Sequence, residues 1–270
     1  MSLHDEKLTS LRRSLREMGR VLVCFSGGVD SSFLLRVARD ELREQVIALT
    51  TVSPTNPDED TEEALALGRE LGVEHVVVHA DELEIPNYRE NPPNRCYFCK
   101  SNLYEIATAE ATARQIPWIV DGVNLDDLGD YRPGLKAADE RRIRHPLAEA
   151  ELGKNEIRGF SRRLGLRSWD RPASPCLSSR FPYGTTITLE GLERVARGER
   201  WLRARGFREC RVRHYERRAR VEVPLAELPR LLAAPLRDEL ARDFRGFGFD
   251  EVEVDRRGFR SGNLNDALPR

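Results

Sequence analysis

Apolar segments and amphipathic segments alternate along the first 165 residues of the chain. Four short runs are almost continuously apolar and predict buried strands: RVLVCF, QVIALT, VEHVVVHA and PWIVDGV. Three longer segments repeat apolar residues at helical spacing and predict helices: SSFLLRVARDEL, DEDTEEALALGRELG and CYFCKSNLYEIATAEATARQI. This order predicts an α/β fold, in which helices cover both faces of a mostly parallel sheet.

The pattern changes towards the C-terminus, where strands and helices no longer alternate regularly. The expected elements are a helix (LEGLERVARGERWLRARG), two strands (RECRVRHY and RARVEVP), a further helical segment (LAELPRLLAAPLRDELARDFRG) and a strand (FDEVEVD). We therefore predict an α/β domain over residues 1–168, a proline-containing connector over 169–188 and a smaller α+β domain over 189–270.

Composition is that of a globular protein in a reducing compartment. Of the 270 residues, 40% are hydrophobic and 33% are charged, and mean hydropathy is −0.54. No apolar run approaches the roughly 18 residues of a membrane span. The N-terminal segment MSLHDEKLTSLRRSLREMG mixes acidic and basic residues, unlike a secretory signal. The five cysteines are unevenly spaced and do not resemble a disulfide framework, so we expect a cytoplasmic protein with no membrane partner.

Positive charge is concentrated in one part of the chain. Residues 158–220 contain seventeen arginines and only six acidic residues, although the net charge of the whole chain is −1. Such a basic stretch favours phosphate-bearing ligands, from a mononucleotide to RNA. Solvated helices in an arginine-rich protein would produce the same count.

The segment VCFSGGVDSSFLL predicts a phosphate-binding loop between a strand and a helix. Glycines allow the backbone to approach an anion, and a helix N-terminus adds N–H donors and a positive dipole end. An aspartate at the helix start suits the Mg²⁺ that accompanies ATP. The predicted ATP-binding residues are Ser26, Gly27, Gly28, Asp30, Ser31 and Ser32.

This loop lacks the lysine of a Walker A motif and resembles the SGGxDS signature of the PP-loop ATP pyrophosphatases. The resemblance implies an adenine nucleotide alpha hydrolase-like fold and cleavage of ATP between the α- and β-phosphates. It also implies a second nucleotide-side loop in VDGVNLDD, where Asp126 and Asp127 would face metal or pyrophosphate. Paired aspartates are also common on solvated surfaces.

The segment NRCYFCKSNLY places Cys96 and Cys99 on one face of a helix N-terminus, where thiolates are favoured. Such a pair is compatible with a disulfide, half of a zinc site, part of an iron–sulfur cluster or two core residues. Cys24 and Cys210 fall in predicted strands and are expected to be buried.

A third cysteine, Cys176, lies in RPASPCLSSRFPYG. This segment, the phosphate loop and RVRHYERRARVEVP together resemble the LarE-type sulfur transferases of nickel-pincer nucleotide synthesis. The resemblance covers both domains. It implies that a pyridinium dicarboxylate mononucleotide is adenylated and that sulfur then displaces AMP, leaving a thiocarboxylate. Cys176 and Asp30 are the implied catalytic residues.

The family divides into two branches, and the cysteines bear on the choice. In one branch a lone cysteine at position 176 donates its own sulfur and becomes dehydroalanine. In the other, three cysteines hold a [4Fe–4S] cluster whose open iron carries the sulfur. We predict the second branch, with Cys96, Cys99 and Cys176 as ligands, because three thiolates leave one iron of a cubane open. A zinc site, a redox pair and structural thiols beside a sacrificial Cys176 are the alternatives.

The basic C-terminal domain is expected to hold the single phosphate of the substrate. The predicted substrate-binding residues are Ser179, Arg180, Arg211, Arg213, Glu199 and Glu222, the two glutamates orienting arginines or facing the pyridinium ring. A sulfide or persulfide donor and a homo-oligomeric state are expected, and RNA is not an expected partner. A tRNA 2-thiolation enzyme is the main alternative, because the basic stretch suits an RNA backbone. A non-catalytic nucleotide sensor is a third reading.

Overall fold

A computed structural model describes residues 3–129 and 132–260 of the chain. The described residues form two compact units. The first unit contains the residues up to Asp81 together with Asn94–Ser174, and the second contains Glu82–Pro93 together with the residues from Pro175 onwards. The functional division of the chain after residues 168 and 188 stays a prediction, and residues 261–270 of the predicted C-terminal domain lie outside the described part.

The first unit contains four strands and seven helices in its described residues. The strands are β1 (Val21–Cys24), β2 (Val46–Val52), β3 (Glu74–His79) and β4 (Trp118–Val120). The helices are α1 (Leu3–Met18), α2 (Val29–Leu42), α3 (Asp58–Glu70), α4 (Arg95–Ala113), α5 (Pro133–Glu140), α6 (Pro146–Glu149) and α7 (Lys154–Arg163).

The four strands form one parallel sheet in the order β3-β2-β1-β4. Side chains of β1 alternate between two cores, because successive residues of a strand point to opposite faces. Val21 and Val23 pack in a cluster that includes residues of α1, α2 and α7, whereas Leu22 and Cys24 pack with residues of α4 and α5. The predicted α/β fold with a helix-covered parallel sheet is therefore confirmed.

The second unit contains a three-stranded sheet and three helices in its described residues. The strands β5 (Arg211–Tyr215), β6 (Arg218–Glu222) and β7 (Glu251–Val254) lie in that order, with β5 and β6 antiparallel and β6 and β7 parallel. The helices are α8 (Leu189–Ala204), α9 (Leu228–Leu232) and α10 (Leu236–Gly246). Val212, Val221 and Phe244 are among the fully buried residues of this unit, which confirms the expected small α+β domain.

The segment 225–246 is helical, as expected, but it is not one continuous helix. A short 3-10 turn at Leu225–Glu227 precedes α9, and a break separates α9 from α10. Proline is the physical reason, because it has no N–H to donate and disfavours helical conformation in the residue before it. Pro235 follows the break after α9 and precedes the first residue of α10. In the described part of the chain, every helix is too short or too polar to cross a membrane.

Candidate functional site

The predicted phosphate loop links the end of β1 to the start of α2 in the first unit. Gly27 adopts a φ of +71°, and a Cβ added there would lie 2.9 Å from the Cβ of Ala64. A side chain at this position would meet both backbone strain and a steric clash. The Gly27 carbonyl accepts a hydrogen bond from Arg171 Nη1 at 3.2 Å, a contact that the sequence pattern did not indicate. The tight turn that brings backbone close to a ligand therefore depends on this glycine.

The three loop serines lie at this turn, and their hydroxyls differ in what they contact. Ser26 Oγ and Ser31 Oγ are 3.1 Å apart, and Ser31 Oγ also donates to the Gly28 carbonyl at 3.3 Å. Ser32 is fully buried, and its hydroxyl has no hydrogen-bond partner among the described residues. An unpaired buried hydroxyl is unfavourable unless a ligand or water completes it. These contacts are compatible with a loop whose serine hydroxyls can bind an anion.

Asp30 is the loop residue best suited to a cation. One of its carboxylate oxygens lies 3.4 Å from Lys154 Nζ, and the other is buried without a partner among the described residues. Burial raises the pKa of this carboxyl, and the charge of Lys154 opposes the effect. A buried carboxylate oxygen without a donor is the kind of ligand that Mg²⁺ takes in nucleotide sites. The residues present therefore fit a magnesium ion beside the loop.

The second predicted loop lies after β4. Asp126 accepts a hydrogen bond from the backbone N–H of Lys154 at 2.7 Å, so its carboxylate caps the start of α7. Asp127 accepts from the backbone N–H of Asn124 at 3.1 Å and pairs with Arg132 at 2.6 Å. Neither interaction excludes a ligand, but both aspartates have structural partners.

Lys154 links the two loops, and no sequence motif had pointed to it. Its backbone contacts Asp126 and its ammonium group contacts Asp30. Gly122 brings the loops together at a second point, because a Cβ added there would lie 2.8 Å from the backbone nitrogen of Ser31. The first unit therefore assembles the six phosphate-loop residues and the second loop at one edge of the sheet.

The five cysteines divide into two groups by burial. Cys24 and Cys210 are buried, as expected from the sequence, and burial raises the pKa of each thiol to about 12. Cys96 is exposed and Cys99 is half-buried in the first turns of α4 in the first unit, while Cys176 is half-buried in the second unit. Within either unit, the described residues contain no group of three histidine, cysteine or acidic side chains arranged for a metal ion.

In the second unit, Arg180 forms hydrogen bonds with the backbone around Cys176. Its guanidinium donates to the carbonyls of Pro175 at 2.7 Å and Cys176 at 3.1 Å, and to Ser179 Oγ at 2.7 Å. It also forms a bidentate pair with Glu199, with distances of 2.7 and 2.8 Å. Arg180 and Glu199 are both 0% exposed, so the pair lies wholly within the protein.

Glu199 connects three elements through one carboxylate. Besides Arg180, it accepts from the backbone N–H of Val212 on β5 at 3.1 Å and from Arg203 on α8 at 2.9 Å. Burial opposes ionisation, but the arginines outweigh it and lower the pKa of this carboxyl. Glu199 is therefore an ionised acceptor that holds the Cys176 turn, α8 and β5 together.

The other predicted arginines lie on β5 beside this network. Arg213 forms a bidentate pair with Glu222 at 3.1 and 2.9 Å and donates to the Ser179 carbonyl at 2.9 Å. Burial, and then the charge of Arg180, lower the pKa of Arg211 to about 10. Because burial is the main cause, an anionic ligand beside Arg211 would stabilise its charged form.

Sequence reasoning missed the segment Glu82–Pro93, which belongs to the second unit. Tyr88 is buried, and its hydroxyl lies 2.7 Å from Ser178 Oγ, two residues after Cys176. Asn91 is also buried and donates to the carbonyl of Pro182 at 2.6 Å. These contacts hold the turn from a distant part of the chain, and no local pattern signals them.

Comparison with known proteins identifies a family model and several relatives that resemble this chain. The family model described as asparagine synthase matches residues 6–94. An uncharacterised protein of Synechocystis sp. is 45% identical over 266 residues, which cover 98% of this chain and 99% of that protein. The NH₃-dependent NAD⁺ synthetase of Methanopyrus kandleri is 43% identical over 70 residues, a quarter (25%) of each chain.

A further relative carries a more specific name. The pyridinium-3,5-bisthiocarboxylic acid mononucleotide synthase of Lactiplantibacillus plantarum is 37% identical over 265 residues, which cover 98% of this chain and 95% of the relative. The phosphate loop lies in the segment that the family model matches, whereas the Cys176 turn lies outside that segment and within the similarity to this relative. The chain is therefore an ATP-dependent enzyme that belongs to the LarE-type sulfur transferases of the PP-loop superfamily.

Proposed function

We propose that this enzyme adenylates a carboxylate of a pyridinium dicarboxylate mononucleotide and converts it to a thiocarboxylate in nickel-pincer nucleotide synthesis. The observation that carries the proposal is the Cys176 turn, because buried arginines donate hydrogen bonds to the carbonyls of Pro175, Cys176 and Ser179 beside a half-buried thiol. That turn combines a sulfur atom with positive charge suited to a substrate phosphate. The near-full-length similarity to the Lactiplantibacillus plantarum synthase supports the choice of substrate.

The first half of the reaction needs only the phosphate loop and its neighbours. The substrate carboxylate attacks the α-phosphorus of ATP, the bond between the α-phosphorus and the bridging oxygen to the β-phosphate breaks, and pyrophosphate leaves. Gly27, Gly28 and the start of α2 supply backbone donors, and the loop serines supply hydroxyls. Asp30 would hold the magnesium ion, while Lys154 balances charge beside it. Asp126 and Asp127 stay proposals for the pyrophosphate side, through their link to Lys154.

In the second half, a sulfur nucleophile attacks the acyl carbon of the adenylate. The bond from that carbon to the AMP oxygen breaks, AMP leaves and the carboxylate oxygen has been replaced by sulfur. Arg211 and Arg213, with Ser179, are proposed to hold the substrate phosphate during this step, and Glu222 to orient Arg213. Arg180 and Glu199 act on the Cys176 turn. Inorganic sulfide is the proposed sulfur source; a persulfide donor would also need a thiol reductant to cleave its S–S bond and release sulfur at the sulfide level.

We further propose that Cys96, Cys99 and Cys176 hold a [4Fe–4S] cluster. The donor set fits, because these three thiols are accessible, whereas Cys24 and Cys210 are buried and their raised pKa disfavours the thiolate that iron requires. When bound, such a cluster would supply an open iron to which external sulfide can bind. A cytoplasmic location and a homo-oligomeric state stay predictions.

Quantitation of iron and acid-labile sulfide after anaerobic purification tests the cluster. We expect about four irons per chain in the wild type, and loss of bound iron and of thiocarboxylate formation in Cys96→Ser, Cys99→Ser and Cys176→Ser alike. Cys210→Ala is the matched control, since that thiol is buried, and it should retain its iron. Adenylation, followed as pyrophosphate release, should persist in all four variants because the phosphate loop is unchanged.

The same variants, together with a tRNA-binding assay, distinguish the cluster mechanism from its alternatives. Cys176 that is lighter by one H₂S after a single turnover, with Cys96→Ser and Cys99→Ser active for that turnover, would establish a sacrificial cysteine instead. Tight binding of bulk tRNA at physiological salt, with no thiocarboxylate product, would favour a tRNA thiolation enzyme. Two or fewer irons in the wild type, or iron that survives all three serine substitutions, contradicts the proposed ligand set.

A further inference from the structure

Three side chains form a hydrogen-bonded trio at the end of β4 in the first unit. Asp121 is 2% exposed and its carboxylate accepts from Tyr104 Oη at 2.6 Å and from His145 Nδ1 at 2.7 Å. The backbone N–H of Val123 donates to the same carboxylate at 3.1 Å. None of the three side chains has a role in the mechanism described above. We call Tyr104, Asp121 and His145 the Tyr–Asp–His trio.

The trio determines which nitrogen of His145 exchanges a proton. An ionised carboxylate only accepts hydrogen bonds, so Nδ1 of His145 keeps its proton towards Asp121. Nε2 is then the atom that gains or loses a proton. It is shielded from solvent and has no hydrogen-bond partner among the described residues.

The charges around His145 favour the imidazolium form. Burial works against it, but the hydrogen bond and charge of Asp121 raise the pKa of His145. Burial likewise works against ionised Asp121, yet the His145 hydrogen bond and the charge of Lys100 lower the pKa of that carboxyl. The charged and titratable groups that act on His145 or on Asp121 are Asp139 of α5, Glu149 of α6, Lys100 and Tyr104 of α4, and Cys24 of β1. A protonated Nε2 without an acceptor is unfavourable, so the trio is incomplete as it stands.

The trio lies at the same edge of the sheet as the phosphate loop. β4 pairs with β1 in parallel, and Val120 lies opposite Val23, so both strands end at the same level. Ligands of open parallel sheets bind at this edge. Gly122, the residue after Asp121, approaches the backbone nitrogen of Ser31 so closely that a Cβ would lie 2.8 Å from it. Backbone contact therefore joins the trio directly to the first turn of α2.

We propose that His145, oriented by Asp121 and Tyr104, donates a hydrogen bond from Nε2 to an anionic oxygen of a ligand at this edge. The oxygen belongs either to a phosphate of ATP or to the carboxylate that becomes adenylated. Both are anionic acceptors, with which a cationic donor forms its strongest hydrogen bonds. His145 is a ligand contact in this proposal, and Asp121 and Tyr104 are positioning residues. The proposal rests on ATP binding at the phosphate loop and is independent of the source of sulfur.

Nitrogen NMR of the full-length chain with labelled histidine tests the proposal. The chain has five histidines, so the ring signals of His145 can be assigned with a single variant. We would titrate pH without ligand, then with Mg²⁺ and α,β-methylene-ATP, and then with pyridine-3,5-dicarboxylate. The pKa of His145 should rise with the probe that carries the acceptor oxygen. Affinity for that probe should fall as pH rises through this pKa, because the donor proton is lost.

Two amide substitutions distinguish the proposed hydrogen bond of Nε2 to the ligand from the hydrogen bond of Nδ1 to Asp121. The amide of His145→Asn can replace Nδ1 and keep the contact with Asp121, whereas the amide of His145→Gln can replace Nε2. We expect His145→Asn to lower affinity for the responding probe by about tenfold, and His145→Gln to stay within about threefold of wild type. His79→Asn is the control, because that side chain is exposed on β3, and it should change nothing.

Each result decides the matter. If both probes bind and neither moves the His145 signals, and His145→Asn binds them as tightly as wild type, the inference is wrong. If α,β-methylene-ATP does not bind the wild type at all, both the proposed function and this inference are wrong. A response to the nucleotide alone identifies phosphate as the acceptor, and a response to the dicarboxylate alone identifies the substrate carboxylate.

Discussion

Gly27 and Gly28 stand side by side in the phosphate loop, yet the structure uses them differently. Gly27 has a φ of +71°, and its missing Cβ leaves room for Ala64. Gly28 has a φ of −71°, and a Cβ there would lie 3.4 Å from Ser26 Oγ, an ordinary contact. Only the first position therefore requires glycine for conformational reasons.

Gly27→Ala should lower the free energy of unfolding by about 1–2 kcal/mol or more, because left-handed backbone strain adds to a clash with Ala64. Gly28→Ala should change it by less than about 0.5 kcal/mol. Urea unfolding of both variants, followed by circular dichroism, measures the difference. Equal losses at the two positions would show that the turn is not conformationally strained in the way described.

The arginines of β5 also differ from one another at the scale of single residues. Arg213 is neutralised by Glu222 through two hydrogen bonds. Arg211 stacks 5.0 Å from the ring of Phe259 and has a pKa lowered to about 10 by burial and by Arg180. An added anion would offset the cost of burying this charge, so we propose Arg211 as the main contact of the substrate phosphate.

Arg211→Gln should weaken binding of the pyridinium dicarboxylate mononucleotide by about 10- to 100-fold, the usual loss for a charge-assisted hydrogen bond. Calorimetry should show an unchanged affinity for Mg²⁺-bound ATP in the same variant. Arg208→Gln is the matched control, because Arg208 is exposed and lies three residues earlier. Unchanged mononucleotide affinity in Arg211→Gln would assign the phosphate to other residues.

At the scale of elements, Glu199 is the point where the Cys176 turn, α8 and β5 meet. The turn has little regular structure of its own, and the hydrogen bonds of Arg180 replace that structure by holding the carbonyls of Pro175 and Cys176. Buried ion pairs are costly to break, because the remaining partner is left as an uncompensated charge. The position of the Cys176 thiol is therefore coupled to a carboxylate on a helix that starts thirteen residues later.

Glu199→Gln should destabilise the protein by about 3–5 kcal/mol, because it leaves Arg180 buried without a counter-charge. The exposed pair of Arg217 and Asp250 is the control, and Asp250→Asn should leave the free energy of unfolding almost unchanged, because solvent screens that pair. Urea unfolding measures both. The double variant Arg180→Met with Glu199→Leu should lose less than the sum of its single variants, since it removes both charges. Strict additivity would mean that the two residues do not act as a pair.

At the scale of the whole molecule, the chain distributes its chemistry over two units. The first unit provides the phosphate loop, Asp30 and Lys154, and the second provides the Cys176 turn and the arginines. The segment Glu82–Pro93 leaves the first unit, joins the second and returns at Asn94. The predicted chemistry makes adenylation and sulfur transfer separable reactions with separate groups of residues.

ATP should be converted to AMP and pyrophosphate only when the carboxylate substrate is present. The phosphate loop has no Walker lysine, and in the proposed reaction the attacking group is the substrate carboxylate rather than water. Chromatography of nucleotide products, with a pyrophosphate assay, measures the outcome. Asp30→Asn should abolish it, whereas Cys176→Ser should retain it. Formation of ADP and orthophosphate would rule out the mechanism.

Local sequence determined most elements and the phosphate loop, because periodicity and turn chemistry depend on neighbouring residues. Four apolar runs predicted β1 to β4, and the signature around Gly27 and Asp30 predicted the loop between β1 and α2. The helical segment 225–246 is divided into α9 and α10, because Pro229 and Pro235 lie within an otherwise helical pattern. Short segments such as α5 and α6 carry too few apolar residues to be recognised in advance.

Tertiary structure alone decided which polar and charged side chains contact one another. Lys154 lies 124 positions from Asp30, and Tyr88 lies 90 positions from Ser178, so no local spacing relates them. His145 and Tyr104 both reach Asp121 because parallel pairing of β4 with β1 brings their segments to one sheet edge. Periodicity depends only on which face of an element is apolar. The partners of a buried charge depend on which distant segments the fold places beside it. The sequence by itself therefore determined the elements, the loop and the reactive residue types, and the fold decided their pairing.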